Sequence, residues 1–267
     1  MLAREVEARM LERLQYIKLD PVCILDAGCG TGDGAKRLAE RYPRARVLAL
    51  DFALPMLQAG RNRDPWLRRV LQRARVDYLC ADLAAVPLPA ASVDLAWSNL
   101  ALHCAGDTQP AFKELRRVLK VGGLLMFSCY GPDTLNELKR AFAAHDRAAH
   151  VHDFIDMHDL GDMLSTHGYS APVMDMEVIT LTYADADALL RDLRATGQQN
   201  ALAERRRGLA GKGMLSGMRA AYDNLRRDGR LPASFEIVYG HAWKAPPRLT
   251  EDGRAIVTMH APRAKGA

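Results

Sequence analysis

Leu2, Val6, Met10, Leu14 and Ile17 recur at the spacing of one helix face, so the chain opens on an amphipathic helix. Short apolar runs then follow at residues 22–25, 46–50, 76–80 and 93–97, and polar residues close each of them: Asp26, Asp51, Asp82 and Ser98-Asn99. Bounded runs of this length suit strands that are buried on both faces. Residues 33–42 and 110–119 carry helical patterns between and after them, and residues 122–128 read as a fifth strand introduced by Val121-Gly-Gly. Beyond Tyr130, Leu135, Leu138 and Phe142 share a helical face. Asp156 reads as an N-cap, with Asp159 three residues on and Gly168 as the terminating glycine. Residues 173–183 and 235–243 carry β-type residues and suit the last two strands.

About fifty residues, 184–234, separate those last two strands, where a short hairpin would suffice. They hold a helix with Leu189, Leu190 and Leu193 ending at Gly197, a bend with Gly208, Gly211 and Gly213, and a second helix through Met218, Tyr222 and Leu225. An insertion of that length is usually functional, and this one is placed to cap the strand ends. The expected organisation is a core over 1–183, a helical cap over 184–234 for acceptor and partner recognition, a final core strand and extension over 235–262, and a disordered tail over 263–267.

Composition adds exclusions. At 267 residues, one large α/β domain with an insertion accounts for the chain. No apolar run approaches the roughly eighteen residues of a membrane span, and the charged start is no signal peptide, so a cytoplasmic protein is expected. Cys23, Cys29, Cys80, Cys104 and Cys129 show no C-x-x-C spacing and read as reduced thiols. The net charge of +5 is no nucleic-acid-binding total, and the tail from Lys244 holds much of it. Residues 197–230 concentrate eight basic side chains, Arg205, Arg206, Arg207 and Lys212 among them, against three acids. That stretch is either a docking face for an acidic partner or a solvated helix surface.

The chemistry is densest where the first strand ends. Asp26-Ala-Gly28-Cys-Gly30-Thr-Gly32 is the Asp-x-Gly-x-Gly-x-Gly turn that usually admits S-adenosylmethionine (SAM). Glycines let the backbone turn sharply and approach a ligand closely, and the carboxylate suits the cationic amino acid end of SAM. A nicotinamide site wants Gly-x-Gly-x-x-Gly; here the third glycine comes one place early, and Asp33 occupies the position where a pyrophosphate would need the helix. Asp51 ends the second strand, where a carboxylate accepts ribose hydroxyls. Met56 can lie over the adenine, Asp82 and Leu83 reach its edge, and Asn99 closes the fourth strand. Asp51 and Asp82 also read as helix caps or turn residues. Polar ends on four successive strands are what an open α/β sheet presents to its ligand.

Four further strings, Gly131-Pro-Asp-Thr-Leu-Asn-Glu-Leu, Asp153-Phe-Ile-Asp-Met-His-Asp-Leu-Gly-Asp, Pro172-Val-Met-Asp-Met-Glu and Tyr239-Gly-His-Ala-Trp-Lys, resemble those of the malonyl-acyl-carrier protein O-methyltransferases. The resemblance spans about residues 2–244. It implies a Rossmann-like, seven-stranded class I methyltransferase sheet with a helical insertion between the last two strands. It implies methylation by SAM of the free carboxylate of a malonyl group on acyl-carrier protein, an early step of biotin synthesis, with malonyl-CoA as a second acceptor. In that family a stretch with a Tyr-Asp pair precedes the first helix and closes over SAM. This chain begins almost at that helix, so either its start is assigned late or the lid is missing.

A malonyl carboxylate is ionised at neutral pH, so the reaction calls for positioning without a general base. His103 and Tyr130 are the candidates to orient it, each with packing or surface exposure as the alternative role. His145, His150, His152 and His158 lack consistent ligand spacing and do not read as a metal site. Two other readings stay open: a SAM methyltransferase with another small acceptor, and a non-catalytic methyltransferase-like assembly protein.

Overall fold

The computed structural model describes residues 1–62, 76–145, 148, 150–198 and 211–247. The apolar runs fold as parallel strands β1 (Cys23–Ala27), β2 (Arg46–Asp51), β3 (Val76–Cys80) and β4 (Val93–Asn99), with β5 (Leu119–Tyr130) parallel to β4. The long strands β6 (Tyr169–Tyr183) and β7 (Leu231–Lys244) complete a seven-stranded sheet of order β3-β2-β1-β4-β5-β7-β6, in which β7 runs antiparallel to both neighbours. The chain winds outward from β1 to β3 and then restarts at β4, so a crevice opens at the carboxyl ends of β1 and β4.

Alternation along the strands builds two cores. Ile24, Val47, Ala49, Leu95, Trp97, Leu124 and Met126 face α1 (Leu2–Leu14) and α2 (Asp33–Arg41), whereas Leu25, Leu48, Leu50, Ala96, Leu125 and Phe127 share a core with Phe112, Leu115, Leu160 and Leu164. The helical spacing of the opening residues has its physical cause in that first core, because Val6, Met10 and Leu14 are fully buried. Helix α1 is tied down at both ends. Asn99 Nδ2 donates to Ala3 O at 2.9 Å, Arg9 pairs with Glu177, Arg13 pairs with Asp175 at 2.6 Å, and the Arg13 guanidinium lies 3.9 Å from the Tyr239 ring centre.

The remaining helices are α3 (Leu54–Asn62), α4 (Thr108–Val118), α5 (Asn136–Ala143), α6 (Met157–Thr166), α7 (Ala186–Ala195) and α8 (Lys212–Asp223). The Asp156 cap is as expected: its carboxylate accepts the His158 N–H at 2.8 Å, and Gly168 just past the end has φ +79°. Helix α4 starts two residues before the expected 110, because Asp107 caps it by accepting the Gln109 N–H. Helix α3 was not legible in the sequence: all of it but Leu57 and Gly60 is exposed, and it begins at Leu54-Pro55. Strands β6 and β7 outrun the expected 173–183 and 235–243 because they pair with each other from Tyr169–Lys244 to Tyr183–Leu231. The edge strand β6 leaves Val173, Met176 and Val178 exposed, so a burial pattern could not mark its start.

Of the insertion, α7 and α8 lie between β6 and β7 in sequence and pack onto the same core as the sheet. Leu189, Leu193, Met218 and Tyr222 are buried in one cluster with Tyr130, Phe235 and Ile237. Lys212 opens α8, and Arg205, Arg206, Arg207 and the expected tail lie outside the described residues. The Tyr222 hydroxyl donates to Pro232 O at 2.7 Å, pinning α8 to the start of β7. Tyr222→Phe is expected to lower stability by about 1 kcal/mol by leaving that carbonyl unpaired, measured as a shifted urea midpoint with unchanged m.

Candidate cofactor and acceptor site

Three backbone N–H groups fasten the glycine turn to the end of β2. Gly28 N and Cys29 N donate to Leu50 O at 2.7 and 2.9 Å, and Gly30 N donates to Asp51 Oδ2 at 2.8 Å. Gly28 (φ +83°) needs its missing side chain twice over, for its backbone and because a Cβ there would stand 2.2 Å from Ala101 Cβ, across the crevice from β4. Gly32 (φ +76°) precedes α2 and lies against the Tyr78 ring of β3. Asp33 then occupies the first turn of α2, placing a carboxylate where a pyrophosphate would need the helix terminus.

Among the predicted cofactor residues, Asp26, Gly28, Gly30, Gly32, Asp51, Met56 and Leu83 gather around this turn. Met56 Cε lies 3.7 Å from the space a Cβ at Gly30 would fill, and Leu83 Cδ1 lies 4.0 Å from that of Gly28. Asp51 has a structural duty as well, since its other oxygen accepts the Ala53 N–H at 2.8 Å. A carboxylate offers about four lone-pair directions, so two remain for ribose hydroxyls. Asp82 is exposed and caps its own turn by accepting the Ala84 N–H. Asn99 is occupied twice, through Nδ2 with Ala3 O and through Oδ1 with Ser128 Oγ at 2.8 Å. It holds α1 against the strand ends.

Asp26 is buried at the end of β1, and its Oδ2 has no hydrogen-bond partner among the described residues. Burial pushes its carboxyl up to about 8, and the neighbouring Glu7 of α1 adds to the rise. Exposed apolar residues, Phe52 at 77% beside Leu54 and Met56, rim the loop after Asp51. Phe52 and Glu7 were missed in the sequence. The signal for the first was an aromatic directly after a strand-terminal acid; the second sits in an ordinary amphipathic helix, so nothing marked it. A glycine turn with no room for side chains, an orphaned buried carboxyl oxygen and an apolar rim together fit SAM, whose parts are a cationic amino acid, a ribose and a flat base.

His103 and Tyr130 come together one short turn from Ala101, His103 in the 3-10 turn Leu102–Cys104 and Tyr130 at the end of β5. Their ring centres are 4.5 Å apart, and Phe154 packs 5.6 and 5.4 Å from them. Gln198, just after α7, donates to the Tyr130 hydroxyl. Gln198 and Phe154 were also missed, because only folding brings them to the strand ends. Burial lowers the His103 imidazole to about 4, with His152 adding to the effect, and raises the Tyr130 phenol to about 12. Both are neutral at pH 7, and His103 Nδ1 is buried with no hydrogen-bond partner among the described residues.

The Gly131–Thr134 turn beside them is held by Glu236 of β7. Glu236 Oε2 accepts the Asp133 N–H at 2.7 Å, and the Thr134 hydroxyl bonds the Glu236 backbone. A cavity of about 550 Å³ lined by Lys113, Arg116, Arg117, His167 and Lys244 lies where β5 begins and β7 ends, away from the glycine turn. Among the described residues no three His, Cys, Asp or Glu side chains converge as a metal site, and no helix is long and apolar enough to cross a membrane.

Residues 25–127 match the family described as a methyltransferase domain. Over 257 residues, covering 96% of this chain and 89% of the relative, the sequence is 52% identical to the malonyl-acyl-carrier protein O-methyltransferase of Gallionella capsiferriformans. Among solved structures, the fold is similar to the YcgJ protein of a Bacillus species, with TM-score 0.62 and 17% identity over 91% of this chain and all of that one. It is also similar to Haemonchus contortus phosphoethanolamine N-methyltransferase 2 in complex with SAM, with TM-score 0.53 and 19% identity over 90% of this chain and 52% of that one.

The His103 environment has a pH consequence. Between about pH 4 and the unfolded value near 6.5 the unfolded chain binds a proton that folded His103 refuses, so this group makes stability fall as pH drops through that window. An NMR titration is expected to show the His103 ring signals moving only near pH 4, well below those of an exposed imidazole.

Proposed function

The chain belongs to the malonyl-acyl-carrier protein O-methyltransferase family, and on that premise we propose how its site works. It is a SAM-dependent carboxyl O-methyltransferase of biotin synthesis. The observation that carries this is the family likeness along almost the whole chain, core and insertion alike. When bound, SAM supplies an electrophilic methyl group on a sulfonium. The glycine turn with Asp26, Asp51, Met56, Asp82 and Leu83 would hold it, and Asn99 would act indirectly by fixing α1 over the crevice.

The acceptor is the free carboxylate of a malonyl thioester on acyl-carrier protein. A cation and an anion react to neutral products, so charge disappears in the transition state. A water-poor site favours that step, and Tyr130 is buried in one cluster with Leu189 and Leu193 of α7, its hydroxyl accepting from Gln198. The neutral donors suit the same end. A phenol O–H from Tyr130 and an imidazole N–H from His103 can orient a carboxylate, whereas a buried cation would hold its charge back from the methyl group. No proton needs to move, so neither group has to titrate.

The basic insertion docks the acidic carrier protein, with Arg205, Arg206, Arg207 and Lys212 steering its approach. Malonyl-CoA reaches the same acceptor site without that surface.

The reaction is tested with labelled SAM on malonyl- and acetyl-acyl-carrier protein. Methyl ester is expected on malonyl alone; label on both, or on neither despite SAM binding, would refute the acceptor. Tyr130→Phe is expected to raise KM for the malonyl thioester about 10-fold, the worth of one hydrogen bond to a charge, with the SAM Kd unchanged. Reversing Arg206 and Arg207 to Glu is expected to raise KM for the carrier-bound substrate several-fold and leave malonyl-CoA turnover nearly unchanged; equal losses on both would remove the docking role.

A further inference from the structure

Glu7 is a charged residue in the middle of a helix that otherwise faces the core with Val6, Met10 and Leu14, and it is only 4% exposed. Its Oε1, like Asp26 Oδ2, is buried without a hydrogen-bond partner among the described residues. The two carboxyls converge on Gly34 in the first turn of α2. A Cβ at Gly34 would stand 3.2 Å from Asp26 Oδ2 and 3.8 Å from Glu7 Oε1. Glycine costs about 1 kcal/mol against alanine inside a helix, and this contact explains its presence. Two acids from different elements, α1 and β1, thus meet beside the glycine turn with acceptor capacity to spare.

We propose that Glu7 is a cofactor-binding residue: with Asp26 it forms a two-carboxylate seat for the ammonium group of SAM. This deepens the SAM reading of the turn and rests on it. Two carboxylates this close in a dry site cannot both ionise cheaply, and burial raises both, Asp26 with Glu7's help. The surrounding groups do not remove the need for a cation. From α2, Arg37 Nε forms an ion pair with Glu7 Oε1 at 3.4 Å without a hydrogen bond and, with Arg4, partly favours the ionised acid, whereas Asp33 on the same helix adds negative charge. From α1, Arg4 reaches Asp33 at 3.4 Å. From β2, Asp51 adds to the negative field at Asp26, and the Ala35 N–H gives one hydrogen bond. An ammonium offers three donors and a full positive charge to two acids holding one proton. Its entry lets the seat ionise, and that proton leaves to solvent.

Ligand binding tests this without turnover. S-adenosylhomocysteine carries the ammonium; 5′-methylthioadenosine keeps the adenosine and thioether and lacks it. Calorimetry at pH 6.5 in two buffers of different ionisation heat is expected to show about one proton released per S-adenosylhomocysteine, and none with methylthioadenosine. Glu7→Gln, close in shape, is expected to weaken S-adenosylhomocysteine about 10-fold, as for a lost charge-assisted hydrogen bond, and to leave methylthioadenosine within about twofold. Equal weakening of both ligands would reduce Glu7 to a packing role. Unchanged S-adenosylhomocysteine affinity, or no proton release from the wild-type chain, would overturn the seat even if the variant folded poorly. Binding of neither ligand by the wild type would overturn the SAM reading and the seat together.

Discussion

The hydrogen bond from Gly30 N to Asp51, with the two from Gly28 and Cys29 to Leu50 O, fixes the geometry on which the remainder of the site depends. These bonds hold the turn after β1 to the end of β2, and the lack of a Cβ at Gly28 lets the β4 side close to Ala101. The crevice at the strand-order reversal therefore has one wall set by backbone and one set by a packed side chain. The 3-10 turn that carries His103 follows directly from Ala101, so His103 inherits its position from the glycine turn. Leu100 is held in a left-handed conformation (φ +49°) by Ser128, whose hydroxyl and carbonyl both accept the Leu100 N–H. Such strain is tolerated where surrounding contacts over-determine it.

The site divides electrostatically. Acids crowd one end: Asp26 and Glu7 are buried together, and Asp51 stands one strand away. The other end is neutral, an aromatic cluster of His103, Tyr130 and Phe154 in which burial suppresses charge on both polar members. One end thus concentrates buried carboxyls and the other buried neutral donors. The same low dielectric acts at both.

The described part of the insertion takes part in the fold. Its buried residues belong to the core formed by the sheet and α1, and its end at Gln198 reaches the Tyr130 hydroxyl. The Gly131–Thr134 turn, one of the strings behind the family resemblance, serves a structural purpose through Glu236, which ties the exit of β5 to β7. A Cβ at Gly131 would meet the Glu236 carboxyl at 2.5 Å, so this glycine is demanded by close approach.

Strand identity, strand order of appearance and the glycine turn were legible in the sequence because each depends on local pattern: bounded apolar runs, polar terminators and residues without a Cβ. Helix α1 was legible for the same reason, and so was the Asp156 cap. Partnerships between distant segments were not. Asp51 carried its position in the sequence, but only the fold shows its oxygens shared between Gly30 and Ala53, because hydrogen-bond partners 21 residues apart leave no periodic trace. Asn99 sat at a strand end as expected, and the tertiary structure gave its amide to α1. Glu7 is the clearest case: one acid on an amphipathic helix is ordinary until packing buries it beside Asp26. Sequence alone determined the sheet and the turn, since short-range sterics and burial dictate them. Tertiary structure decided which polar atoms were left without partners, since that depends on every neighbour at once.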